Sequence, residues 1–129
     1  MQRRKFIWGL GGALGIGALT CLYSWQIEPY WLEFVKLKMD VKNLPSELSG
    51  TTLMQVSDIH VGNRFDWNYI IQSFERAKSF NSDFVVYTGD YVYHESEEQF
   101  SQLSTVLDHA VKGRIGTVAI LGNHDYGKN

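Results

Sequence analysis

A single cysteine in 129 residues, Cys21, excludes an intramolecular disulfide, so the core and hydrogen bonding must hold any fold. Only two prolines interrupt the chain, and it shows no internal repeat or low-complexity stretch, which removes solenoid and disordered-linker readings. Acidic residues are missing from the first 25 positions, which hold Arg3, Arg4 and Lys5. The remaining nine basic and 14 acidic residues leave the rest of the chain at −5, a balance that excludes nucleic acid as a partner. What is present, 44% hydrophobic residues and 12 glycines, describes one modest globular domain rather than a fibrous or disordered chain.

Charge is also missing from Phe6 to Trp25. Twenty residues at about 1.5 Å each match the roughly 30 Å hydrocarbon core of a bilayer, so this stretch predicts a membrane-spanning helix. Arg3, Arg4 and Lys5 ahead of it, with Glu28 and Glu33 behind, predict a single-pass anchor with a cytoplasmic N-terminus and everything after Trp25 on the far side. Gln2-Arg3-Arg4-Lys5-Phe6-Ile7 resembles a twin-arginine export signal, and no Ala-x-Ala site follows, which favours an uncleaved anchor over residues 1–27. Pro29 should end the helix, with Tyr30 and Trp31 suited to the interface.

The domain proper is expected over residues 32–129. Glu33 to Val41 alternates apolar and charged residues, the pattern of a half-exposed edge strand. Three later stretches share another construction: Thr52 to His60, Asp83 to Asp90 and Thr117 to Asp125 each run apolar and then stop at a polar, metal-competent tip. Between them, Asp66 caps a helix to about Phe80, with Phe65 and Ile70 as a hydrophobic staple and Trp67, Ile70, Ile71, Phe74 and Ala77 as its core stripe. Ser96 with Gln99 opens a second helix whose inner face should be Phe100, Leu103, Val106, Leu107, Ala110 and Val111. His94 falls in the preceding loop. Strand, helix, strand, helix, strand predicts an α/β domain with a parallel βαβαβ core.

In a parallel sheet the strand C-termini share one edge, where open α/β folds place their ligands. Asp58, His60, Asp90, Asn123 and His124 should therefore converge, although 65 residues separate Asp58 from Asn123. Two carboxylates, an imidazole and an amide oxygen suit a divalent cation such as Mn, Fe, Zn or Mg, with no thiolate to favour a softer ion. Asp58 and His60 can chelate one ion, Asp90 has two oxygens with which to bridge two, and Asn123 can complete the second without adding charge.

Asp58-x-His60, Gly89-Asp90 and Gly122-Asn123-His124-Asp125 resemble the first three signature blocks of the calcineurin-like metallophosphoesterases, from about Leu53 onward. With the N-terminal anchor, Gln55 to His60 and Leu121 to Gly127 are most similar to the membrane-associated branch that includes UDP-2,3-diacylglucosamine hydrolases and related lipid phosphoesterases. The resemblance implies the N-terminal half of a β-sandwich flanked by helices and preceded by one transmembrane helix. It implies two divalent metal ions, with Asp58 and His60 on the first, Asp90 bridging and Asn123 on the second. His124, steered by Asp125, would face the leaving-group oxygen, and the substrate would be a phosphate ester, pyrophosphate or nucleotide-lipid. Tyr93 departs from the family, which often has Asp, His or Asn there. The family also continues with a further histidine and a Gly-His-x-His block, so residues 32–129 are expected to be a truncated domain with Val85, Tyr87, Val118 and Ile120 left exposed. The alternative is a catalytically inactive membrane-anchored remnant with residual metal binding.

Overall fold

The computed structural model describes residues 2–62, 66–93 and 96–126, without the side chains of Gln2 and Arg4. Phe65 of the expected staple and His94 lie outside the described residues. Two units are distinguished, Met1–Asp40 and Val41–Asn129.

The first unit is dominated by helix α1, Gln2–Gln26. It is apolar around its whole circumference, its described side chains are exposed, and Lys5–Tyr30 is long and apolar enough to cross a membrane. The Thr20 hydroxyl turns back to donate to the Ile16 carbonyl at 3.0 Å, which satisfies the one polar side chain near the helix middle internally. A 3-10 turn at Glu28–Tyr30 contains Pro29 and follows the helix directly. The edge strand expected over Glu33 to Val41 does not form. Val35, Leu37, Met39 and Val41 are 53–80% exposed, so the apolar side of the alternation is not covered as that of a half-buried strand would be.

The second unit is built on three parallel strands, β1 (Leu53–Val56), β2 (Phe84–Tyr87) and β3 (Gly116–Ala119), in the order β1-β2-β3. Helices α2 (Trp67–Lys78) and α3 (Glu97–Asp108) form the two crossovers. Asp66 accepts from the Asn68 amide at 3.0 Å and Ser96 from the Gln99 amide at 3.2 Å, so both helices begin at the sequence-predicted caps. The parallel register aligns Gln55 with Val86 and Val118, and Val56 with Tyr87 and Ala119. Side chains alternate along each strand, so Met54, Val56, Val85 and Tyr87 share one face. That face packs with Ile70 and Phe74 of α2 and Val106 of α3 into one core.

This packing corrects two expectations. Val85 and Tyr87 are 1% and 4% exposed, since they face the helices; of the four residues expected to stay open, only Val118 and Ile120 do. Phe100 and Leu107 are exposed rather than buried. At about 100° per residue they sit together on one shoulder of α3, whereas the buried line runs between Leu103 and Val106.

Beneath the strand N-termini, the buried Asp83 carboxylate accepts from the amide and hydroxyl of Thr52, both at 2.9 Å, and pairs with Arg114. At the opposite ends the ladder is interrupted and then resumes. β1 and β2 pair as far as Val56 and Tyr87, diverge, and meet again in a parallel bridge between Val61 and Val92, both fully buried. The polar tips lie in the interruption.

Candidate metal centre

Asp58, His60 and Asp90 occupy that interruption, and all three adopt left-handed backbone angles, φ 55°, 45° and 57°. Aspartate and histidine are among the few non-glycine residues that tolerate this region. The conformation lets the tips turn outward while remaining tied together: the Asp58 amide donates to the Gly89 carbonyl at 3.2 Å and the His60 amide to the Asp90 carbonyl at 3.0 Å. The third tip comes from the 3-10 turn Asn123–Asp125. Gly122 lies against Asp90 so closely that a Cβ there would collide with the Asp90 carboxylate.

The resulting cluster is compact. His60 Nε2 lies 3.5 Å from Asp58 Oδ1 and 4.0 Å from Asp90 Oδ2, and the three side chains are 21%, 63% and 15% exposed respectively. One ligand atom from each of His60, Asp90 and His124 falls within 4.8 Å of the others. These carboxylate and imidazole donors fit a divalent cation of the hard to borderline kind. The His60 and His124 rings meet edge to face at 5.0 Å between centroids. His60 Nδ1 is buried and has no hydrogen-bond partner among the described residues, so Nε2, turned to the carboxylates, is the nitrogen available to an ion.

The surroundings are aromatic and apolar. The Tyr93 ring lies nearly parallel to that of His124, 6.4 Å between centroids, and edge-on to His60 at 6.0 Å. Burial pushes the Tyr87 and Tyr91 hydroxyls above the usual phenol value, with the Asp125 charge adding to the effect at Tyr91. Both stay neutral. Tyr87 donates to the Val111 carbonyl at 2.9 Å, and the buried Tyr91 hydroxyl has no partner among the described residues.

Asp58, His60, Asp90 and His124 are thus brought together, and Asn123, exposed, opens the adjoining turn. Asp125 was expected to steer His124; its described hydrogen bonds run to the backbone amides of Asp90, Tyr91, Val92 and Gly122. Sequence reasoning missed this role and the place of His124 among the possible ligands. The signal available was the tight spacing of Gly122 to Asp125, which fixes all four residues in one turn.

Strand tips that gather carboxylates and imidazoles in this way give an α/β unit a set of side chains that could hold a metal ion. The calcineurin-like phosphoesterase family model matches residues 51–129. The chain belongs to that family. It is 31% identical to the uncharacterized metallophosphoesterase YkuE of Bacillus subtilis, over 98% of this chain and 46% of that protein. It is 27% identical to the UDP-2,3-diacylglucosamine pyrophosphatase LpxG of Chlamydia muridarum, over 84% of this chain and 32% of the relative. A Danio rerio transmembrane protein with a metallophosphoesterase domain is 29% identical over 88% of this chain and 26% of its own length. The chain therefore spans less than half the length of these curated relatives. No solved structure matches it.

Proposed function

We propose that this chain contributes the first three ligand-bearing tips of a dinuclear metal centre that hydrolyses phosphate-ester or pyrophosphate bonds, on a lipid-linked substrate such as UDP-2,3-diacylglucosamine. The observation that carries the reading is the approach of His60, Asp90 and His124 ligand atoms to within 4.8 Å on three separate strand tips. Family membership supports the reaction class, and the similarity to the Chlamydia muridarum LpxG supports the substrate class.

Asp58 and His60 would hold the first ion, Asp90 both, and Asn123 the second. Two divalent cations supply the positive charge that acidifies a water and offsets charge on the phosphoryl oxygens. The residues do the rest. Asp58, exposed at the rim, and Asp90, set deeper, both place negative charge close to His60 Nε2. His124, exposed at the rim, would give a proton or hydrogen bond to the departing oxygen. The apolar α1 would keep the site beside a membrane, with the N-terminus cytoplasmic because Arg3, Arg4 and Lys5 precede the span, and with export by the twin-arginine route.

The test is Mn2+ titration of the full chain in detergent micelles, with hydrolysis of a p-nitrophenyl phosphodiester and of UDP-2,3-diacylglucosamine followed in parallel. Binding that is lost in Asp90→Ala and in His60→Ala is the expected result. Mn2+ affinity indifferent to both substitutions would refute the site. Cleavage of the phosphodiester but not of the nucleotide-lipid would remove the substrate assignment alone.

A further inference from the structure

The geometry points to Asp125 as a positioning residue that acts through Asp90, holding the metal-facing carboxylate in place, rather than through the imidazole of His124. The inference rests on the proposed metal site and adds a residue to its machinery.

An ionised carboxylate offers about four lone-pair positions to hydrogen-bond donors. Asp125 fills four. Oδ2 accepts from the amides of Asp90 at 2.7 Å and Gly122 at 2.8 Å, and Oδ1 from those of Tyr91 at 2.7 Å and Val92 at 3.3 Å. Nothing is left to orient a histidine ring. Three of the four donors are consecutive, so the backbone from Asp90 to Val92 forms a concave nest of N–H groups, an arrangement that attracts an anion. Asp125 is that anion, delivered from the third strand tip.

Asp90 sits at φ 57°, a left-handed conformation that an aspartate tolerates at a cost and that its surroundings help impose. The hydrogen bond to its own amide supplies that imposition from one side. A return contact supplies it from the other, since Asp90 Oδ1 accepts from the His124 amide at 2.9 Å. The two aspartates therefore brace each other's loops, and the brace leaves Asp90 Oδ2 facing His60 Nε2. Asp125→Asn keeps the size of the side chain but replaces one oxygen by an NH2 group, which would confront amide donors with a donor and release the nest.

The experiment uses the full chain in micelles and two readouts, Mn2+ affinity and the amide proton shifts of Asp90, Tyr91 and Gly122. Asp125→Asn is expected to weaken Mn2+ binding by about 10- to 100-fold, the usual range for a residue that orients a ligand without touching the ion. The same loss is expected when Asp125→Asn is introduced into a His124→Ala background, because the effect does not pass through that ring. If Asp125 acted by steering His124, the loss would vanish in that background, and this result would overturn the inference. The second readout needs no variant to fold: in the unsubstituted chain the three amide protons should lie far downfield, as short bonds to a charged acceptor require, and ordinary shifts would overturn it equally. Failure of the metal site itself has a separate signature, an Asp90→Ala variant that binds Mn2+ as well as the parent.

Discussion

Gly89 and Gly122 face each other where the second and third strand tips cross, and substituting each by alanine separates two physical effects. Gly89 has φ 98°, and a Cβ on it would fall on the Gly122 amide nitrogen and Cα. Gly122 has an ordinary φ of −93°, and its Cβ would fall on Asp90 Oδ1. Gly89→Ala therefore meets both a left-handed backbone, about 1–2 kcal/mol, and a collision with backbone that cannot rotate away, about 1–3 kcal/mol. Gly122→Ala meets only the collision. At about 4–8 °C per kcal/mol for a unit of this size, Gly89→Ala should lower the melting midpoint by roughly 8–40 °C, and Gly122→Ala by roughly half as much. Both should weaken Mn2+ binding, because both push the third tip away from Asp90. The assay is thermal unfolding of the full chain followed by circular dichroism. A Gly89→Ala variant that melts no lower than Gly122→Ala would refute the reasoning, since the left-handed conformation would then contribute nothing.

Other expectations rest on separate parts of the molecule. Hydrogen bonds from Thr52, then Arg114, hold the Asp83 carboxyl below the usual carboxylate range. A depressed folded value means that the contribution is fully present above the unfolded value, about pH 4, and is lost as pH falls from there through the lower folded value. Melting midpoints measured from pH 7 down to pH 3 should fall, and Asp83→Asn should flatten the acid limb; an unchanged limb would show that Asp83 does not tie β1 to β2. A reporter fused after Asn129 should be active only outside the cytoplasm, and replacing Arg3 and Arg4 by Lys should abolish export. Robust cytoplasmic activity would reverse the orientation, and unchanged export would remove the twin-arginine route.

Much of this was legible because burial and chemistry leave different marks on a sequence. The run Phe84 to Tyr87 followed by Gly89-Asp90 declares both a buried strand and a reactive tip, and Asp66 and Ser96 declare where helices begin. Alternation is weaker, because it states what a segment would do in a sheet and not that the segment is in one; Glu33 to Val41 shows this. The direction of a helix face is also only approximate from spacing, since Phe100 and Leu107 are within one shoulder of the true core line. Backbone angles left no mark. Asp58, His60 and Asp90 look like ordinary strand ends until their left-handed φ values are seen. Asp125 was legible as part of the motif but not in its role, because a carboxylate that serves amides and one that serves an imidazole look identical in sequence.

The interruption in the ladder between β1 and β2 carries a consequence for how such a site can change. Pairing stops at Val56 and Tyr87 and resumes at Val61 and Val92, so residues 57–60 and 88–91 are detours of equal length and the offset between the two strands is the same on both sides. The candidate site is carried on a span fixed at both abutments. Deleting or inserting one residue in either detour would leave the far abutment out of step, and the buried Val61 or Val92 would be driven from the core with it. Side chains within the detours are free to vary as chemistry demands, but their lengths are coupled: a viable change in one requires the matching change in the other.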